Sequence, residues 1–342
     1  MSPAAAPGPA DLLGLLRRDA GLGLTALEPT ADGESGSTYW VTDGAGEVLL
    51  LKLLPGPATA GLRYLQALAA VVDRLRDRGF PAPRWRAAGQ AAGQVFWIQE
   101  RAEGTALISA AGRPDAGRIL SALPELVRLN DAQAGLGTSP GDSAAPGDSA
   151  DPDGFPPGSG SPPSWPALIR QTLTEGGAGY CRPETLGARA DTRDLLEALR
   201  RVADSCCDAV PAAADFVHYD FSPANLLGNG RPDGPAISAV IDINPPVLAG
   251  DRAFDLATLL FYCYDHDEIR GRLQARLLEL AEPAAARAYL AHLVLRQADW
   301  SLRFYPDAEP TRHFMRLARR VTADIDDGAR FGAAGGAPRN TA

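Results

Sequence analysis

The chain has 342 residues, 45% of them hydrophobic, and a formal net charge of −9. Two domains or two lobes are expected at that length, and the acidic balance argues against nucleic acid or an anionic membrane surface as a partner. Four cysteines, Cys181, Cys206, Cys207 and Cys263, show neither C-x-x-C spacing nor the density of a disulfide scaffold, so reduced thiols are expected. The N-terminal run "MSPAAAPGPADLLGLLRRD" lacks the cationic start and apolar core of a signal peptide, and no uninterrupted apolar stretch reaches about 18 residues. A soluble, cytoplasmic protein is the expectation.

Two extended runs, "STYWVTD" and "EVLLLKLL", are joined by "GAG" and predict a β-hairpin, preceded by the Gly/Ser-rich turn "ADGESGS". Lys52 interrupts the second run. Of 33 basic residues it is the only lysine, leaving 32 arginines. A compact ammonium on a flexible stem does what a planar guanidinium cannot, although a lysine snorkelling from a strand is the ordinary alternative. Next, Leu62, Leu65, Ala69, Val72 and Arg76 recur at helical spacing, with Gly79 and Pro81 as the stop. Short strands around "PRWRAAG" and "QVFWIQE" complete a small sheet carrying one helix.

Residues 137–164 consist mainly of Gly, Pro, Ser, Asp and Ala, with "PGDSA" nearly repeated. So little apolar surface cannot offset ordering entropy, which predicts a mobile insertion, with a substrate lid as the alternative. Beyond it the pattern is mostly helical, apart from a compact region at 215–256. There "FVHYDFSPANLLGNG" sets Asp220 five residues before Asn225, and the β-branched run "AISAVID" predicts a buried strand ending at Asp242. Hard oxygen donors of this kind suit magnesium, which takes one or two carboxylates and completes its shell with water and substrate phosphate.

These segments, "HYDFSPANLL" and "VIDINPPVLAGDRAFDLA", resemble the aminoglycoside phosphotransferase family, the small-molecule branch of the protein-kinase-like fold, and the likeness runs from about residue 24 to 305. The resemblance implies an α+β, two-lobed architecture: an N-lobe of antiparallel sheet and one helix over residues 1–103, and a mainly helical C-lobe over 104–342. It implies that Asp220 receives or orients the acceptor hydroxyl and that Asn225 and Asp242 hold magnesium. Lys52, on the third strand, would pair with the α- and β-phosphates of ATP or GTP. "GESGSTYWV" is similar to the loop that places backbone donors of Ser35, Gly36 and Ser37 near phosphate, although an ordinary hairpin turn also explains it. "WIQERAEG" resembles the inter-lobe linker whose backbone near Glu100 and Ala102 meets the purine edge. His218, Asp251 and Asp255 are expected to brace the catalytic loop.

Two departures from the family pattern stand out. No glutamate occurs between residues 48 and 99 to hold Lys52 from the helix, which leaves Gln66, Asp73 or a pair formed only with nucleotide. Tyr219 stands where glycine is usual. For the acceptor, Asp265, Asp267 and Glu268 fall where the family often has an acidic pocket, with a solvated loop as the plainer reading. Gln297 shares a helical face with Leu290, Leu293, Val294, Trp300 and Phe304, so it needs a buried partner or a ligand. The expected activity is magnesium-dependent transfer of a γ-phosphoryl group to a small-molecule hydroxyl, with an antibiotic as the leading acceptor. A metabolic kinase and a silent nucleotide-binding module are the alternatives.

Overall fold

The computed structural model describes residues 9–19, 21–30, 38–54, 58–91, 94–138, 164–176, 181–229, 236–245, 247, 249–328 and 331. It opens with a helix that the sequence pattern does not announce, α1 (Pro9–Asp19), whose Leu12 and Leu16 are fully buried one turn apart. Three strands follow, β1 (Leu24–Pro29), β2 (Thr38–Asp43) and β3 (Val48–Leu54), then α2 (Ala58–Asp77), β4 (Trp85–Ala91) and β5 (Gln94–Glu100). The sheet is antiparallel in the order β1-β2-β3-β5-β4. The β2–β3 turn is tied by Asp43, whose Oδ1 accepts from the amides of Ala45 and Glu47.

Strand alternation divides the sheet into two faces. Leu49, Leu51 and Leu53 of β3 pack with Phe96, Ile98 and the leucines of α1. On the opposite side Val95 and Trp97 join Tyr64, Leu65, Leu68 and Val72 of α2. Lys52 alternates with Leu51 and Leu53 and so falls on this second face, opposite Trp97 in the β3–β5 register. Helix α2 ends in a Schellman motif: Gly79 N–H donates to Arg76 O at 2.8 Å, and Phe80 N–H to Leu75 O at 3.0 Å, with Phe80 and Leu75 both in the core. Gly79 has φ of 77°, the left-handed conformation that this cap favours in glycine.

The rest is mainly helical: β6 (Thr105–Ala106), α3 (Ala116–Ala132), α4 (Trp165–Thr174), α5 (Pro183–Gly187), α6 (Arg193–Cys206), β7 (Leu226–Gly228), β8 (Ala239–Val240), α7 (Ala253–Tyr262), α8 (Asp267–Leu280), α9 (Pro283–Phe304) and α10 (Glu309–Asp326). Helix α9 is the hub, buried over most of its length and packed by α6, α7 and α10. The run expected to be one buried strand before Asp242 is shorter, because β8 pairs only with the three-residue β7. Other amides of the run go elsewhere: Ile237 N–H, before the strand, to Glu125 Oε2 at 3.1 Å, and Val240 N–H, within it, to Pro81 O at 2.9 Å. All four cysteines are free and buried. Among the described residues no helix is long and apolar enough to cross a membrane.

Candidate active site

The catalytic-loop candidate is built on one buried carboxylate. Asp255, in the first turn of α7, is fully buried, and its Oδ2 accepts from His218 N–H and Gln133 Nε2, both at 2.7 Å. Its Oδ1 accepts from Tyr219 N–H at 2.9 Å. Burial pushes the Asp255 carboxyl above its ordinary range, and nearby His218 and these donors oppose that rise. For two successive amides to meet one carboxylate the chain must turn sharply, and Tyr219 has φ of 73°. Left-handed backbone costs a non-glycine residue roughly 1–2 kcal/mol. Tyr219 is held there from several directions: its ring stacks on Phe254 at 5.3 Å, its hydroxyl meets His292 Nε2 at 3.1 Å, and Arg296 Nη1 donates to its carbonyl at 2.8 Å.

His218 braces the loop as expected. Its Nδ1 accepts from Asp220 N–H at 3.3 Å, so Nε2 carries the proton that it donates to Ile241 O at 2.8 Å. Asp251 is bound by Tyr289 Oη at 2.6 Å and Ala253 N–H at 2.9 Å. Gly250, bridged to Asp215, admits the Trp165 ring so closely that an added Cβ would lie 2.7 Å from it.

Asp220, Asn225 and Asp242 come together at this point. Asn225 Nδ2 donates to Asp220 O at 2.9 Å and to Asp220 Oδ2 at 2.8 Å, which leaves Oδ1 as its free hard donor. Ile241 N–H donates to Asn225 O at 3.0 Å and so sets Asp242 beside it. Asp242 is itself left-handed, with φ of 60°. Across 190 residues, Lys52 Nζ forms an ion pair with Asp242 Oδ1. That ammonium holds the Asp242 carboxyl below its ordinary range, against the opposing cost of partial desolvation beside the protein. Lys52 Nζ also stands 5.8 Å from the centre of the Trp97 ring. Neither Gln66 nor Asp73 is among the partners described for Lys52, and both are exposed on α2. The helix is instead joined to this region by the Tyr64 hydroxyl, which donates to Pro245 O.

The donor set, one carboxylate from Asp242 and one amide oxygen from Asn225, is of the hard kind that magnesium takes. Among the described residues no group of three or more His, Cys, Asp or Glu side chains could hold a metal unaided.

The remaining expectations divide. Ser35, Gly36 and Ser37 lie outside the described residues, as do residues 139–163 of the insertion. Glu100 ends β5 opposite Leu49; its amide donates to Arg84 O at 2.9 Å and its side chain pairs with Arg86 at 3.0 Å, so neither is spare for a purine edge, and Ala102 lies just beyond. Asp265 pairs with Arg320 at 2.9 Å, Asp267 with Arg270 at 2.8 Å, and Glu268 with Arg272 at 2.7 Å. The charge of these three is thus matched by arginines of their own helical lobe. Gln297 has partners on both ends: Tyr262 Oη donates to its Oε1 at 2.8 Å, and its Nε2 donates to Ser301 Oγ at 3.1 Å. Arg296, which no sequence motif singled out, reaches Asp220 Oδ1 with Nη2 at 3.4 Å.

A small antiparallel sheet with its helix, set over a mainly helical lobe that presents an Asp-Asn-Asp set to a strand lysine, defines a kinase-like phosphotransferase fold. The chain belongs to the phosphotransferase enzyme family, which matches it over residues 26–291. No curated protein matches the chain. Among solved structures it is similar to an aminoglycoside phosphotransferase from Alicyclobacillus acidocaldarius (15% identity, 97% of each chain, TM-score 0.53). It is also similar to a protein from Haemophilus somnus assigned provisionally as a fructosamine-3-kinase (14% identity, 92% of this chain and 98% of that one, TM-score 0.51). A further similar structure is the aminoglycoside phosphotransferase of Streptomyces rimosus, solved with ADP and streptomycin (18% identity, 84% and 98% covered, TM-score 0.49).

Proposed function

We propose that this protein transfers the γ-phosphoryl group of ATP or GTP to a hydroxyl of a small molecule, with an antibiotic as the leading acceptor. The observation that carries the reading is the convergence of Lys52, Asp220, Asn225 and Asp242 on one cleft through the Lys52–Asp242 pair and the Ile241–Asn225 bond. A silent binding module has no need of Asp220 held by two donors beside the phosphate-side residues. In the transfer, the acceptor oxygen bonds to the γ-phosphorus, and the bond from that phosphorus to the bridging oxygen breaks with its electron pair leaving on the nucleoside diphosphate. The hydroxyl proton passes to Asp220. Magnesium, held by Asn225 Oδ1 and Asp242, supplies charge neutralisation on the phosphates when bound. Lys52 orients the triphosphate, and catalysis rests on positioning more than on covalent chemistry.

A metabolic acceptor, an amino alcohol or a sugar, is the second reading. It draws support from the arginine partners of Asp265, Asp267 and Glu268, which leave those three carboxylates poorly placed to capture the amines of a polycation. The test is diphosphate release from magnesium-ATP and magnesium-GTP with streptomycin, a macrolide, glucosamine and a fructosamine as acceptors, run beside Asp220→Asn. The variant should lose about 100-fold or more in turnover with nucleotide affinity kept within a few-fold. Near wild-type turnover by Asp220→Asn overturns the assignment.

A further inference from the structure

Arg296 projects from the middle of α9 onto the catalytic loop, 76 residues away in sequence. Its side chain is 13% exposed, against 43% for Asp220. A guanidinium so far from water must be matched by charge and hydrogen bonds. Here one short stretch of chain supplies both: Tyr219 O accepts from Nη1 at 2.8 Å, Asp220 Oδ1 from Nη2 at 3.4 Å, and the Tyr219 ring lies 4.7 Å from Cζ. Asp220 thus has a different donor on each oxygen, Asn225 on Oδ2 at 2.8 Å and Arg296 on Oδ1 at 3.4 Å.

That division matters because rotation about the last bond of an aspartate is soft and nearly two-fold. One donor leaves the carboxylate plane free to swing; two donors on opposite oxygens fix it. The longer Arg296 contact also leaves Oδ1 with lone-pair capacity for an incoming hydroxyl. At the same time the bond to Tyr219 O holds the left-handed residue that presents Asp220.

We propose that Arg296 is a positioning residue for phosphoryl transfer, fixing the plane of the Asp220 carboxylate toward the acceptor hydroxyl. This rests on the reading of Asp220 as the acceptor-side group. An arginine that merely ties α9 to the loop would do so through Tyr219 O alone, and its loss would change stability without separating kcat from KM.

The test uses the full chain carrying Arg296→Met or Arg296→Lys, with magnesium-ATP and whichever of streptomycin, macrolide, glucosamine or fructosamine the wild type phosphorylates. Arg296→Met should lower kcat about 100-fold, the scale of a 1 Å misplacement, with KM for nucleotide within about threefold. Arg296→Lys should recover at least tenfold of that loss. Urea unfolding of Arg296→Met, Asp220→Asn and the double variant gives a second readout that needs no acceptor: the two effects should be clearly non-additive. Wild-type kcat in Arg296→Met, equal losses in kcat for the methionine and lysine variants, or additive unfolding effects would each overturn the proposal. Should no acceptor turn over while the unfolding effects couple, the enzyme reading falls and the Arg296–Asp220 contact stands. Turnover with additive unfolding means the opposite: the enzyme reading stands and the positioning role of Arg296 falls.

Discussion

Replacing Lys52 by arginine asks whether the cleft needs a charge or needs a lysine. The chain carries 32 arginines and this single lysine, so nothing in its general make-up resists the exchange. The stability cost should be small. Lys52 is 19% exposed and Asp242 is 48% exposed, so the pair is partly solvated and breaking it altogether would cost about 1 kcal/mol, well short of the roughly 3–5 of a buried pair. Arginine keeps the charge, and Tm should move by about 2 °C or less. Geometry is another matter. The Trp97 ring lies 5.8 Å from Nζ and offers a flat face on which a guanidinium stacks well. A planar fork drawn onto that indole and onto both oxygens of Asp242 no longer presents a point charge to two phosphates. With reacting atoms displaced by about 1 Å, the loss is about 100-fold in kcat, or about 2.7 kcal/mol of barrier. Steady-state kinetics at saturating magnesium-nucleotide, beside a thermal melt, read both quantities. Unchanged kcat in a normally folded Lys52→Arg would refute the phosphate-pairing role.

Two further outcomes follow from the braces around the catalytic loop. Burial, aided by the nearby Arg296 charge, holds the fully buried His292 well below the usual imidazole value of 6.5. Its contribution is therefore complete above pH 6.5 and is lost as pH falls toward the lowered native value, because only the unfolded chain takes up the proton. Urea stability should show an excess slope of about 1.4 kcal/mol per pH unit over that window, absent in His292→Gln; parallel profiles would refute it. Tyr219→Gly relieves a left-handed backbone worth about 1–2 kcal/mol but removes a ring stacked on Phe254 and the hydroxyl bond to His292, a loss of about 3–5. A net destabilisation of about 1–4 kcal/mol is expected, and a glycine variant as stable as wild type would show that the ring is not what holds the turn.

What the sequence disclosed was what is local. The α2 period and its Gly79 stop, the β2–β3 hairpin and the H-x-D-x-x-x-x-N spacing are each decided within a few residues. Helix α1 was not read from the sequence: Leu12 and Leu16 stand one turn apart, but the Ala/Pro-rich residues before them mask so short a stripe. The run at 236–242 looked like one buried strand because its side chains are apolar. The Ile241 amide still reaches Asn225 in the β7–β8 register, but its carbonyl goes to His218 and the left-handed Asp242 beyond it ends the strand. Arg296 left no trace at all: as one arginine among 32, it becomes distinct only when α9 packs against a loop 76 residues earlier.

The tyrosine that breaks the family pattern is explained by the same packing. A glycine at position 219 would reach the left-handed turn at no steric cost, so a tyrosine there must be compensated by contacts that glycine lacks. It has them in Phe254, His292 and the face of Arg296. Those contacts couple the loop to α7 and α9, and Asp255 closes the arrangement by binding the amides of His218 and Tyr219 together. Through Tyr219, α7 and α9 together hold the residue that precedes Asp220, and α9 alone reaches the Asp220 carboxylate, with Arg296. A freely turning glycine would present that carboxylate less rigidly, so the departure places more of this loop's positioning in the helical lobe.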